Sequence, residues 1–236
     1  MGIASVQANW RYNARSLKTS GVTTLPAGLT SGLVPGAILL TRSRQCTRGA
    51  IVNDLLTGRL VSLRRIREED YPQFLEWYSD PEILRYSERG PAVPLTQKGL
   101  EKMLGSGVSG EEVWFAVETR DGTLIGDIGL NPIDQKNRLA QLVITIGDKN
   151  RWGQGYGTDA AMVILRIGFN ELNLHRVELS TFAFNERAIR LYQRCGFRRE
   201  GVRRECLFRN GQYHDEIHLG LLADEFIPLA KQYFGQ

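Results

Sequence analysis

From Gly58 to Ile66 apolar and polar residues alternate, the period-two pattern of a half-buried strand. Glu68, Glu69 and Asp70, followed by Pro72, then open a helix reaching Trp77, because carboxylates suit the positive end of a helix dipole. Asp80-Pro81 repeats the start signal, an N-cap residue with proline at the first helical position. A further helix is predicted from about Thr96 to Leu104, stopped by Gly105-Ser106-Gly107. Strands follow over residues 112–118 and 123–130, joined at an Asp121-Gly122 turn. Residues 139–147 are mostly apolar and predict a strand buried on both faces.

The second half opens with a glycine loop, Trp152-Gly-Gln-Gly-Tyr-Gly157, running into a helix from about Gly155 to Leu172. Arg176 to Phe182 reads as a strand. Asn185 is placed to cap a helix ending at Cys195, with Gly196 as the residue that leaves it. Strands at 197–208 and 213–222 form a hairpin over Asn210-Gly211, whose residues tolerate the left-handed backbone of a tight turn. The order βαα-βββ-α-β-α-ββ predicts a single α/β (α+β) domain over residues 58–236, with a mixed, mostly antiparallel seven-stranded sheet and helices on both faces.

Composition changes this picture at one end. Residues 1–53 hold six basic and no acidic residues, eleven Ser or Thr, and no sustained period, so they are expected to be a disordered or targeting-like leader. An over-long gene start would read the same way. The remaining chain carries 24 basic against 26 acidic residues, net −2, so the overall +4 belongs to the leader. A domain with no positive excess is a poor partner for nucleic acid. Three cysteines without metal-ligand spacing, Cys46, Cys195 and Cys206, suggest a reducing, cytoplasmic setting. Apolar runs are too short for a membrane span.

A strand, a glycine-rich turn and a helix N-terminus together make an anion site. The first-turn N–H groups are unpaired, and glycine lets backbone approach phosphate oxygen closely. No Lys-Ser/Thr follows, which removes the nucleotide-triphosphate loop, and the spacing G-x-G-x-G is not the dinucleotide G-x-G-x-x-G. Glu178, at a strand about twenty residues on, keeps a nicotinamide enzyme in view.

The loop is similar to the [QR]-x-x-G-x-[GA] pyrophosphate loop of the GNAT acetyltransferases. Asn185-Glu-Arg-Ala-Ile-Arg-Leu-Tyr-Gln-Arg-Cys-Gly-Phe197 resembles the N-x-x-A-x-x-L-Y-x-x-x-G-F segment of that superfamily. Arg209-Asn-Gly-Gln-Tyr-His-Asp215 and Leu219-Gly-Leu-Leu222 resemble the branch that acetylates ribosomal-protein N-termini and related small amines. The resemblance spans roughly Gly58 to Asp224. It implies transfer of acetyl from acetyl-CoA to a primary amine by direct attack in a ternary complex, without a metal, and relatives often dimerise. Pyrophosphate would lie on Arg151, Trp152, Gly153, Gln154, Gly155, Tyr156, Gly157 and Thr158. The pantetheine arm would pair with Ile144, Thr145 and Ile146, and Asn185 would touch the coenzyme. Tyr192 occupies the position that protonates the leaving thiolate. A tyrosine titrates near 10 and a thiol near 8.5, so it can donate without ionising at neutral pH.

Two positions depart from the pattern. Trp152 replaces Gln or Arg, and Gln141 stands where the branch often has Glu, which vacates the base position. Asp127, Glu178, Asp134 or a water chain remain as proton acceptors. A coenzyme-A-binding module without turnover is the alternative that this vacancy supports. His214 and His218 share a strand face about 13 Å apart, at ~3.3 Å per residue, too far for one zinc. Arg187, Arg190, Arg194, Arg198 and Arg199 could reach a 3′-phosphate but read more simply as a solvated helix face.

Overall fold

The computed structural model describes residues 55–87, 89–90, 93–104 and 110–235. The leader expected at 1–53 and the glycine stop at 105–107 lie outside these residues. Strand β1 is Val61–Arg64, followed by three short helices: α1 (Tyr71–Trp77, entered through a 3-10 turn at Glu68–Asp70), α2 (Pro81–Ser87) and α3 (Gln97–Leu104). Then come β2 (Val113–Thr119), β3 (Leu124–Asp134), β4 (Leu139–Ile146) and α4 (Tyr156–Arg166), which continues as a π-helical turn through Glu171. The last elements are β5 (Arg176–Phe182), α5 (Glu186–Arg194), β6 (Arg198–Arg209), β7 (Gln212–Leu222) and α6 (Ala223–Phe234). Helix α6 was absent from the expected order. Its apolar positions follow β7 without a glycine break, so the pattern gave no boundary to read.

The seven strands form one sheet in the order β1-β2-β3-β4-β5-β7-β6, antiparallel throughout except for the β4–β5 pair. Both expected turns are present. Gly122 (φ 85°) turns β2 into β3, while Asn210 (φ 52°) and Gly211 (φ 77°) both take the positive φ that a two-residue hairpin requires.

Each sheet face buries its own apolar cluster. Strand β2 is buried on both sides: Val113, Phe115 and Val117 join α4, Tyr192 and Phe226 in one cluster. Trp114 and Ala116 join Phe74, Trp77, Ile83 and Leu100 from α1–α3 in the other. Helix α4 is apolar all round over Ala160–Leu165 because it is covered on every side. Strand β4 corrects one expectation. Its burial alternates over residues 139–143, with Gln141 and Val143 exposed on the face away from the main cluster, whereas Thr145 further along that face is buried beside Tyr78.

Asp159, in the first turn of α4, holds the edge of this arrangement. Its fully buried carboxylate accepts the backbone N–H groups of Arg59 (2.9 Å), Leu60 (2.6 Å) and Val61 (2.8 Å) and the Tyr233 hydroxyl (2.7 Å). One side chain thereby joins the start of β1, α4 and α6. Replacing it orphans several buried donors at once, each costing about 1–3 kcal/mol. Asp159→Ala is therefore expected to lower the unfolding free energy by at least ~3 kcal/mol, measured by urea denaturation. A loss under 1 kcal/mol would show that water replaces the carboxylate there.

Candidate active site

Strands β4 and β5 run parallel and pair over Leu139–Gln141 with Arg176–Glu178, then part. The gap between them opens into a cavity of about 850 Å³, lined by every residue from Gln141 to Ile146 on one side and Leu179 to Phe182 on the other. The opposite edge of β4 stays bonded to β3 as far as Ile146. The β5-facing edge of Leu142–Ile146 therefore directs backbone polar groups into the gap, where an extended amide-bearing chain could pair with them. Ile144, Thr145 and Ile146, the residues expected for that role, lie here.

The glycine loop closes one end. Strand β4 leaves through Gly147, where any side chain would collide with the Trp77 ring, a Cβ there meeting it at 2.0 Å. After a 3-10 turn at Lys149–Arg151, the loop takes positive φ at Gly153 (76°) and Gly155 (94°), the latter capping α4. Asp159 N–H returns to the Gly155 carbonyl at 2.9 Å, closing the first turn. The amides of Tyr156, Gly157 and Thr158 precede that closure, in the part of a helix that lacks internal acceptors. An anion placed there would also gain from the helix dipole.

Arg151, Trp152, Gly153, Gly155, Gly157 and Thr158 line the cavity. The side chains of Gln154 and Tyr156 do not. Gln154 donates to the Asn150 carbonyl, and Tyr156 lies beneath the Arg151 guanidinium, 5.5 Å from its ring centre. These two residues can serve through their backbone. Trp152 explains its departure from Gln or Arg: its Nε1–H donates to the Ile146 carbonyl at 2.6 Å, tying the loop to the end of β4.

At the end of β5, Asn185 caps α5 by accepting the Ala188 N–H at 3.2 Å, and it lines the cavity as well. Tyr192, two turns along α5, also lines it while packing edge-on against Phe197 at 5.8 Å. Burial, with the Cys195 sulfur as a smaller influence, pushes the Tyr192 hydroxyl above its usual range, so it keeps its proton at neutral pH. All five arginines are exposed, as the solvated-face reading expects, and three of them also border the cavity. Arg187, Arg190 and Arg194 line the cavity, and the Arg187 guanidinium stacks 4.0 Å over Trp152. Arg198 lies on β6 paired with Glu225 at 2.8 Å.

The candidate proton acceptors are distributed differently. Asp134 ends β3, accepting bonds from Asn137 of the following turn at 2.9 and 2.7 Å, and Glu178 pairs with Arg176 at 3.1 Å at the closed end of the gap. Neither lines the cavity, whereas Gln141 does. Asp127 is fully buried behind Tyr78, which itself borders the cavity and donates to the carboxylate at 3.0 and 3.1 Å.

The sequence did not single out Tyr78, Tyr86, Lys102, Met103 and Trp114, which also line the cavity, Tyr86 packing edge-on against Trp152 of the loop at 6.3 Å. They come from the three short helices, the residue that ends the first of them, and strand β2, and packing rather than spacing brings them together. Glu216 was missed too. It is buried on β7, where it binds Arg89 (2.7 and 2.9 Å) and Ser180 (3.0 Å) at the cavity wall. The two strand histidines are separated in use, with His214 against Phe184 at 4.9 Å and His218 beside Glu216 at 3.3 Å. Among the described residues no three His, Cys, Asp or Glu side chains are grouped to hold a metal.

A family model described as an acetyltransferase (GNAT) domain matches residues 60–198. The uncharacterized N-acetyltransferase p20 of Bacillus licheniformis is 30% identical over 73% of this chain and 97% of its own length. The spermidine N(1)-acetyltransferase of Escherichia coli strain K12 is 29% identical over 72% of this chain and 90% of its own. Among solved structures, spermidine N-acetyltransferase from Vibrio cholerae in complex with CoA and spermine superposes with a TM-score of 0.64. It is 27% identical and covers 71% of this chain and 98% of its own.

The loop geometry gives a direct test. Gly155 adopts a φ of 94°, which a β-branched residue reaches only at a cost of about 1–3 kcal/mol. Gly155→Val should move the turn and weaken acetyl-CoA binding at least ~10-fold, read by calorimetric titration, with the fold retained. Unchanged affinity would remove the loop from the coenzyme site.

Proposed function

The chain belongs to the acetyltransferase (GNAT) family, and from that premise we propose how its cleft carries out the reaction. The protein transfers an acetyl group from acetyl-CoA to an amine. In our reading the pyrophosphate rests on the amides of Gly153–Thr158, with Arg151 beside it and Arg187, Arg190 and Arg194 within reach of the remaining phosphate. Charge-assisted bonds of this kind are roughly twice as strong as neutral ones. The pantetheine arm lies along Ile144–Ile146 as an added strand, which brings the thioester to the middle of the gap, and Asn185 adds a polar contact.

A primary amine, free α-amine or polyamine, approaches from the wall of Tyr78, Tyr86 and Trp114. Its nitrogen attacks the thioester carbonyl in a ternary complex. The new C–N bond forms, the C–S bond breaks, and Tyr192 protonates the leaving sulfur. The single observation behind this reading is that Gly153, Gly155, Gly157 and Thr158 of the loop, Leu142–Ile146 of β4 and Tyr192 all line one cavity. That convergence favours turnover over a coenzyme-binding module. The free thiols of Cys195 and Cys206 favour a reducing compartment, and on that ground we assign the reaction to the cytoplasm.

Calorimetric titration with acetyl-CoA, using NADH and ATP as controls, tests the coenzyme side. Micromolar binding of acetyl-CoA alone is expected, and binding of NADH instead would overturn the reading. Tyr192→Phe tests the chemistry. With spermidine and a tripeptide bearing a free α-amine as acceptors, kcat should fall about 100-fold while acetyl-CoA affinity changes less than ~2-fold. Unchanged turnover would take the proton donor's role away from Tyr192.

A further inference from the structure

Asp127 has an environment that structural carboxylates avoid. It lies in the middle of β3 with no exposed surface, on the face that α1–α3 cover. A buried carboxylate normally meets a cation or several backbone amides. Every element around Asp127 can be checked for one. Strand β2 sets Ala116 opposite it, strand β4 sets Thr145 opposite it, and the end of α1 supplies Tyr78. Burial and the Tyr78 hydrogen bond are the two influences on its titration. Burial dominates and pushes the carboxyl up to about 7, against the modest lowering by Tyr78. Such a group takes and releases a proton at physiological pH.

The route from Asp127 to the cleft is a single residue long. The Tyr78 hydroxyl donates to the carboxylate at 3.0 and 3.1 Å and lies 2.9 Å from Thr145 Oγ1. Tyr78 and Thr145 both line the cavity, and Asp127 is not among its lining residues. Thr145 belongs to the free stretch of β4, where the thioester is placed in the reading above. Gln141, where relatives often carry Glu, cannot ionise. The chain thus lacks an acid on the exposed stretch of β4 and holds one immediately behind it.

We propose that Tyr78 and Asp127 form a two-member proton relay for acetyl transfer, Tyr78 taking the proton of the acceptor amine and Asp127 taking the proton that Tyr78 gives up. This deepens the acetyltransferase reading and rests on it. As the amine nitrogen bonds to the acetyl carbon, one N–H proton passes to Tyr78 Oη. The original Tyr78 proton moves to the Asp127 carboxylate, so the tyrosine ends neutral. The C–S bond breaks and the sulfur receives the Tyr192 proton. One proton is thereby stored at Asp127 and one is missing at Tyr192, and exchange with solvent restores both. Tyr78 is the residue that touches the amine, and Asp127 works through it.

Asp127 accepts a proton only when ionised, so activity must fall as pH drops through about 7. Spermidine as acceptor separates this from the amine's own ionisation. A primary amine titrating near 10 adds one unit of slope to log kcat/KM throughout pH 5.5–9. In the native chain the slope should steepen from about one to about two below pH 7. Asp127→Asn and Tyr78→Phe should each lose the break and lower kcat about 100-fold, with acetyl-CoA affinity by calorimetry within ~2-fold of native. A native slope break that survives in both variants would overturn the relay. If Asp127→Asn fails to bind acetyl-CoA, Tyr78→Phe alone decides by the same break. Infrared titration of the full chain needs no acceptor: a carboxyl band should change near pH 7 and be absent in Asp127→Asn. A band unchanged between pH 5 and 9 would refute the proposal even if acetyl-CoA binding is normal, whereas failure of that binding would strike the acetyltransferase reading instead.

Discussion

The short parallel contact between β4 and β5 is the constraint on which the rest of the structure depends. Three residue pairs hold these strands together before they diverge. Because the strands are parallel, both carboxyl ends point the same way, and the helices that follow them, α4 and α5, begin at the same open end. Ligands of α/β sheets bind at such carboxyl ends for this reason. The splay opens the cavity, and parallelism delivers the glycine-loop helix start and the Asn185 cap to its mouth. An antiparallel pair would have sent one helix to the opposite end of the sheet.

A gap in a sheet leaves backbone groups unpaired and an edge exposed, so its margins must be held by other means. Trp152 does this on the loop side by donating to the last carbonyl of β4. Trp77 does it on the helical side, occupying the space that Gly147 leaves empty. Asp159 fixes the far end of the same helix turn to β1 and α6. The glycine loop is therefore held between anchored elements, and Gly153 and Gly155 let it take the positive φ of its turn without strain.

The parts of this design that were legible in the sequence are those set by local rules. Asn210-Gly211 predicts its turn because two positive φ values demand such residues, and Arg176–Phe182 is read in full as a strand because its pattern is bounded by clear stops. Gly155 and Asn185 are helix starts by chemistry alone. What depends on tertiary contact was not legible. The half-open face of β4 is invisible in an apolar run, since nothing in the run marks Val143 as exposed and Thr145 as buried. Arg187 is the solvated helix arginine that its spacing suggests, but its stacking over Trp152 could not be read from spacing. Tyr78 and Asp127 are 49 residues apart, and no spacing rule connects them.

The charge distribution of the cleft bears on its two ends separately. Arg151, Arg187, Arg190 and Arg194 gather with the glycine loop and α5, which makes this part of the lining cationic. Elsewhere on the lining the cation Arg89 is held by buried Glu216, which also takes Arg203 at 3.3 Å. A base exposed there as a free carboxylate would attract the arginines across the gap and lose its basicity in an ion pair. Setting the acid one layer deeper, behind a neutral tyrosine, keeps it away from those cations. The burial that makes Asp127 costly to ionise also keeps its affinity for a proton near the value that the reaction needs.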